Sequence, residues 1–553
     1  MPKIPPVKSQ VRDRRTTRLR RDFAVLVAVA TTLVFVDTGA LGSGSQREGG
    51  IFRVVLPGFD YVDPALSYSF GSWALLDTTC ARLMTYPDKP APEGFRVVPE
   101  VAADYPRISR NGKTYTFTLR SGFRFSDGTP VRASAFARAI NRSLARGVDS
   151  PGARYTGDIV GAADVQAGRT TAAAGVVPRG NTLVIRFTRP VVDFAAKTTM
   201  PFFCAVPPTL PSDPEGLTIF PSAGPYVVTE YRPGERVTIR RNRFYRGSRP
   251  HHVDGFDVDL RVTGSAEALD RVERGDADWT YALSPDYFEP GRGLAAKYGI
   301  NRSQFFVRPG FVLRHLIFNS ARPLFRHNAR LRRAVNFALD RRALARTATN
   351  TPLSDRLTDQ FLPPSLPGFK DASIYPLERP NLERARALAR GNLRGGKAVL
   401  YTNNGPQPLA VAQAAKQQLA EIGLEVELRP LPGSAFINRL YVSGEPWDLV
   451  LILWAPDFVD PFQFINELFD PQFTLTGNIG RFDSATYNAL MRRAARLRGP
   501  ERYRAYGELD VRLAGEGAPS APISFFNEPT LVSKRVGCIV LRPALDLTAV
   551  CLK

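Results

Sequence analysis

Cysteine, histidine, methionine and tryptophan each occur only four times in 553 residues, and this scarcity removes several chemistries. No two cysteines have CxxC spacing and no histidine lies near a cysteine, so a protein-built zinc site is not expected. A transition-metal centre prefers several converging imidazoles or thiolates. His251-His252, His315 and His327 do not supply that pattern, so a metal would enter only inside a chelator. The GxSxG elbow of serine hydrolases is absent, and no GxGxxG follows a strand. Gly391–Lys397 fits GxxxxGK, but Ala398 stands where Ser or Thr would hold magnesium. A strand pattern then follows where a phosphate-facing helix should open. Neither a cofactor nor enzymatic activity is expected from these residues.

Charge of one sign is in excess: Lys and Arg number 74 against 52 Asp and Glu, a formal +22. Such a balance raises the question of nucleic acid or an acidic surface. Residues 1–22 hold eight Lys/Arg and two Asp, a net +6 that leaves +16 for the remainder. Those charges are mostly Arg, scattered through every later segment, and no helix-turn-helix or zinc-finger pattern stands out. A solvated arginine-rich surface without a nucleic-acid partner is the expectation. Hydrophobic residues at 44% and aromatics at 10% suffice for large cores. The length exceeds what one core supports, so two or three domains are expected.

Arg12, Arg14, Arg15, Arg18, Arg20 and Arg21 precede a fourteen-residue apolar run, Phe23 to Val36. That run is short for a bilayer span and suits a signal h-region. Ala40-Leu41-Gly42 offers a cleavage site before Ser43, so residues 1–42 are expected to be a signal peptide or N-terminal anchor. Arg20-Arg21-Asp22-Phe23 also resembles a twin-arginine signal. No cysteine precedes Cys80, so lipid anchoring through a cleavage-site cysteine is not expected. Export places Cys80, Cys204, Cys538 and Cys551 in an oxidising setting. Three complete pairings exist. Cys80–Cys204 and Cys538–Cys551 are favoured, stapling an inserted domain and closing a terminal loop; buried free thiols are the alternative.

No internal repeat is visible. Leu41 to Gly50 is Gly/Ser-rich, and residues 43–50 read as a linker. Asn111 to Ile140 reads as two short strands, a turn and a capped helix. Thr114, Thr116 and Thr118 alternate with Tyr115, Phe117 and Leu119, and Asn111-Gly112 and Asp127-Gly128 supply turns. Ser134 is placed as the cap of a helix burying Phe136, Ala139, Ile140 and Leu144. Asn328 is expected to cap one helix through RLRRAVNFALDRRALART. Lys397–Tyr401, Leu409–Ile422 and Leu424–Leu428 then form a βαβ unit, with Gly423 as the helix stop. Trp447 to Trp454 is a continuously apolar strand of the parallel, buried kind. In such sheets ligands lie beyond the strands' carboxyl ends. This nominates two loops, Thr402–Pro406 with Asn404, and Ala455–Pro461. In the second, Asp457 beside Trp454 and Phe458 has the chemistry to pair with a ligand ammonium. A turn residue at Asp457 and a core residue at Trp454 explain the same spacing.

The stretch NGKTYTFTLRSGFRFSDGTPVRASAFARAI resembles a signature of family 5 solute-binding proteins, the extracytoplasmic receptors of peptide and nickel ABC importers. TYPDKPAP at 85–92, Ala223-Gly224-Pro225-Tyr226, RGDADW at 274–279, LIFNSARPLFRHNARLRRAVNFALDRRAL at 316–344 and LVSKRVGC at 531–538 follow in that family's order. The resemblance implies an α/β periplasmic-binding-protein-like fold (type II, cluster C), with two lobes built from three domains around a ligand cleft. The implied first lobe comprises 51–85, an inserted domain at 86–204, 205–305 and 510–553; the second is 306–509. The segments ISFF and TLVS are both placed in the first lobe. In peptide-binding relatives an Asp three residues after a Trp pairs with the peptide's α-ammonium, and Trp454-Ala-Pro-Asp457 matches that pattern. Tyr61 and Asn319 carry over as ligand contacts, Asn319 with a hinge role as its alternative. The implied function is capture of a peptide-like solute by a monomer and its delivery to a membrane permease. A transport-independent sensor or envelope chaperone on the same fold, and a basic surface protein binding anionic polymer, are the rivals.

Overall fold

The computed structural model describes residues 48–553 apart from 283, 290, 350, 543 and 544. The signal or anchor expected at 1–42, and most of the linker at 43–50, lie outside the described residues. Among the described residues, no helix is long and apolar enough to cross a membrane.

Three sheets organise the chain. A five-stranded sheet runs in the order Trp279–Thr280, Ile51–Val55, Gly255–Asp259, Arg236–Arg241, Tyr226–Arg232. The first strand, remote in sequence, lies parallel to both of its neighbours. A four-stranded antiparallel sheet orders Arg107–Ile108, Thr114–Thr118, Thr182–Arg186 and Val176–Arg179. Its central pair sets Tyr115 opposite Ile185 and Phe117 opposite Leu183. All four side chains are buried, which is what the alternation with threonine predicts. Gly112 and Gly128 have φ of 71° and 88° at the flanking turns, a backbone conformation that glycine adopts without steric cost.

The third sheet has six strands: Asp355–Leu357, Ser520–Leu531, Phe305–Phe318, Leu449–Trp454, Lys397–Asn403, Glu425–Leu431. The βαβ unit forms as the periodicity requires, with Lys397–Asn403 parallel to Glu425–Leu431 and helix Pro406–Ala420 between them. Gly423 ends it at φ 80°. Val411, Ala412, Ala415 and Leu419 bury one helix face against Leu400 and Val426.

Several expectations change. The strand ending at Trp454 is parallel to Lys397–Asn403 but antiparallel to Phe305–Phe318, so the sheet is mixed. Its far end leaves the core, with Leu453 48% exposed. Ser134 lies inside helix Ala133–Leu144; Arg132 takes the cap position and no side chain bonds there. Asn328 does cap its helix, accepting from Leu331 N. That helix stops at Ala338, however, and a second begins at Arg341. The break has a local cause: Asp340 Oδ1 accepts from Ala343 N at 2.8 Å, starting a new helix within a run whose apolar period looked continuous. His315 lies within the strand Phe305–Phe318, fully buried, and burial pushes its pKa down to about 3. ISFF at 523–526 pairs in the six-stranded sheet, whereas Val532 bridges to Trp279 of the five-stranded one. The paired strands Phe305–Phe318 and Ser520–Leu531 thus run from one sheet's surroundings to the other's.

Both favoured disulfides are present, Cys80–Cys204 across 124 residues and Cys538–Cys551 across 13. Cys80 and Cys204 are almost completely buried. Replacing both by serine is expected to destabilise by about 2–4 kcal/mol, because the unfolded chain regains a long loop's entropy. The shorter bridge should contribute less. Urea midpoints of the two double-serine variants check this; an unchanged midpoint without Cys80–Cys204 refutes it.

Candidate ligand-binding site between the lobes

The loop after Trp454 is held at both ends. Asp460 caps helix Pro461–Phe469 by accepting from Phe462 N, and also receives Arg502 Nη2 at 2.6 Å. Gln463 Oε1 accepts from the Asp457 amide at 3.0 Å. Facing this loop is an aromatic corner grown from Tyr68-Ser69-Phe70. Ser69 caps helix Phe70–Thr79 by accepting from Ser72 N, and Trp73 Nε1 donates to Ser67 O at 2.9 Å. Tyr68 then rests on the edge of Trp73 and stacks on Phe202.

Asp457 meets that corner. Its Oδ1 accepts from the Tyr68 hydroxyl and from Arg154 Nη2, the latter at 2.8 Å. Arg154 lies over the Tyr68 and Tyr155 rings at 5.0 and 4.7 Å. Burial, followed by hydrogen bonding and charge from Asp457, pushes the Tyr68 phenol up. Oδ2 of Asp457 accepts from no described residue, and the side chain is 20% exposed. Close by, burial lifts Glu467 to about 7, with Asp457 adding to the rise. One carboxylate oxygen is braced; the other is open.

Asp457 and Phe458 share the wall of a cavity of about 310 Å³ with Phe70, Trp73, Tyr281 and Phe311. Phe458 is 3% exposed and packs into the core that contains Tyr115 and Phe202. Tyr86 holds the same loop: its hydroxyl accepts from Val459 N at 2.9 Å and donates to Val459 O at 3.0 Å. The cavity's cations are already engaged. Arg82 donates to Thr199 O and pairs with Asp77, and Arg542 pairs with Asp546 at 2.7 Å. Burial opposes ionisation of Asp77, but the guanidiniums of Arg249, Arg82 and Arg542 outweigh it and hold the pKa well below the carboxylate range. A second cavity, of about 380 Å³, includes Tyr115, Asp460, Arg502 and Tyr503 in its wall. Its buried charges Asp460 and Arg502 satisfy each other, so they offer no open group to a ligand.

The other expected contacts lie elsewhere. Trp454 is half-buried against Phe462, Phe464 and their neighbours, and its Nε1 has no hydrogen-bond partner among the described residues. Asn319 is 2% exposed; its Nδ2 donates to Trp447 O and its Oδ1 accepts from Ala321 N. Asn404 is exposed after its strand, its amide donating to Leu431 O. Tyr61 is 39% exposed beside Gly216, outside the cavity wall. Tyr68, Tyr86 and Arg154 were not anticipated. The run Tyr68-Ser69-Phe70-Gly71-Ser72-Trp73 carried a usable signal, three aromatics around a Ser cap.

The profile of bacterial extracellular solute-binding proteins, family 5 Middle, matches residues 96–474. The chain belongs to this family. The probable D,D-dipeptide-binding periplasmic protein DdpA of Escherichia coli (strain K12) is 24% identical over 498 residues, covering 88% of this chain and 90% of that protein. The probable deoxycholate-binding periplasmic protein YgiS of the same strain is 24% identical over 484 residues, covering 82% and 85%. Among solved structures, clavulanic acid biosynthesis oligopeptide binding protein 2 superposes with a TM-score of 0.77 at 26% identity, covering 92% of this chain and 96% of that one. A family 5 solute-binding protein with the two-lobed α/β fold accounts for the sheets, the strand pair linking them and the cavity between them.

Proposed function

We propose that this family 5 protein captures a short peptide-like solute by its free ammonium end and delivers it to an ABC permease in the membrane. The single observation that carries the reading is the Asp457 carboxylate, with Oδ1 braced by Tyr68 and Arg154 and Oδ2 open at an aromatic cavity wall. A partly desolvated carboxylate with one unmet oxygen favours a charge-assisted bond from an ammonium. A cavity of about 310 Å³ lies at the small end of ligand sites and suits a peptide of few residues. An anionic solute such as a bile acid fits less well, because Arg82 and Arg542 are paired and the wall also holds Asp457 and Glu528. The same argument disfavours anionic polymer in the cleft. Binding without turnover is the expected activity, in an extracytoplasmic setting and as a monomer.

Mass spectrometry of protein purified without refolding, followed by denaturing release, tests this. Co-purified peptides with unblocked N-termini are the expected result. A steroid, a sugar or a chelated metal released in stoichiometric amount would replace the substrate class. Failure of the emptied protein to bind any of a dipeptide-to-pentapeptide set would refute the reading.

A further inference from the structure

The cavity contains a second carboxylate that the ammonium-binding role of Asp457 does not use. Glu528 lies on strand Ser520–Leu531, the member of the linking strand pair that carries ISFF. Its side chain lines the cavity with Phe70, Tyr281 and Phe311. It forms no hydrogen bond and no ion pair with any described residue, although Arg308 is its register partner across the strands. The negative charges elsewhere in the wall are matched: Asp77 by Arg82 and Arg249, Asp546 by Arg542, Asp457 in part by Arg154. Glu528 alone among these acids has nothing opposite it. An acid in an apolar wall without a partner is costly to ionise, and burial alone lifts its pKa to about 7. A structural role would normally supply a donor, so the missing partner points to a ligand.

We infer that Glu528 is the receptor site for a second cation on the ligand, the ammonium or guanidinium of a basic side chain, lying on the aromatic faces of Phe70 and Tyr281. The two rings stack on each other at 5.8 Å between centroids and an interplanar angle of 27°, in the same cavity wall as Glu528. A long basic side chain has the matching build, an apolar stem and a cationic tip. Tyr281 and Tyr287 are the phenols close enough to feel the carboxylate's charge, burial being the larger cause of each one's raised pKa. The assignment rests on the peptide-capture reading for its ligand class, but Glu528's preference for a cation is separable from it.

Emptied wild-type protein and Glu528→Gln are titrated calorimetrically with Ala-Lys-Ala and with the isostere carrying norleucine in place of lysine. Wild type is expected to prefer the lysine peptide by at least about tenfold, the effect of a desolvated charge partner. Glu528→Gln should erase that preference, leave the norleucine affinity within about twofold, and keep the melting temperature of wild type. Equal affinity of wild type for the two peptides, or a preference that survives Glu528→Gln, overturns the assignment. Cadaverine and pentylamine form a second probe pair. If no peptide binds but cadaverine binding depends on Glu528, the cation site stands and the peptide reading falls. If neither probe pair shows Glu528-dependent binding, the cation site falls.

Discussion

Asp63→Ala is expected to destabilise the protein by about 3–5 kcal/mol, the usual effect of removing one member of a buried ion pair. Asp63 and Arg142 each have side chains 1% exposed and pair at 2.6 Å. The carboxylate is fully committed: it takes both terminal guanidinium nitrogens of Arg142 and also the amides of Ala65 and Leu217. Arg142 in turn donates to Pro211 O from its Nε. The pair joins the segment that follows strand Ile51–Val55 to helix Ala133–Leu144, so its loss should loosen the chain that leads into Tyr68. Alanine would leave a guanidinium buried without its countercharge and two amides without acceptors. Urea unfolding measures the loss. Arg142→Met should cost a comparable amount, and the double variant less than the sum, because neither charge is then stranded. Single variants that unfold within about 1 kcal/mol of wild type would show the pair to be dispensable.

Asp457→Asn is expected to weaken binding of a peptide with a free N-terminus by more than about tenfold, since a charge-assisted bond in a sheltered site is lost. Asp457 also pairs with Arg154, 303 residues away in sequence, so a bare loss of affinity would not separate ligand contact from a latch. Two controls do. Acetylating the peptide removes the ammonium, and Asp457→Asn should then make little further difference. Arg154→Met removes that pair but leaves the carboxylate, and should weaken binding by less than Asp457→Asn. Arg154 is 52% exposed on its side chain, where an ion pair contributes little by itself. Equal losses in both variants, insensitive to acetylation, would make Asp457 a latch and not a ligand contact.

The elements most legible in the sequence were those with one dominant local signal. Tyr115 and Phe117 alternating with threonine, Asn328 before its helix and Gly423 after another all sit where the pattern placed them. The break at Asp340 is not legible because apolar spacing survives across it, while the extended backbone at Leu339 ends one helix and the side-chain bond to Ala343 N begins the next. The Asp457 loop follows strand Leu449–Trp454, at the end where strand direction alone placed it. Tyr68 and Arg154 were not legible, because they reach Asp457 from 389 and 303 residues away in sequence. Asn319 shows how a motif match leaves a residue's role open. A motif match marked it, but its amide is consumed holding Trp447 O. Glu528 was invisible for a different reason: what marks it is the absence of a partner, and sequence shows residues but not their unmet bonds.

The Tyr86 hydroxyl holds both backbone groups of Val459 and touches none of its side-chain atoms through those bonds. A clasp made that way is indifferent to which amino acid occupies position 459, proline excepted, since proline lacks the N–H. Change of the side chain at 459 is therefore uncoupled from this joint between Tyr86 and the loop that carries Asp457 and Phe458. A substitution at 459 can alter this part of the cavity wall while the joint itself is inherited intact.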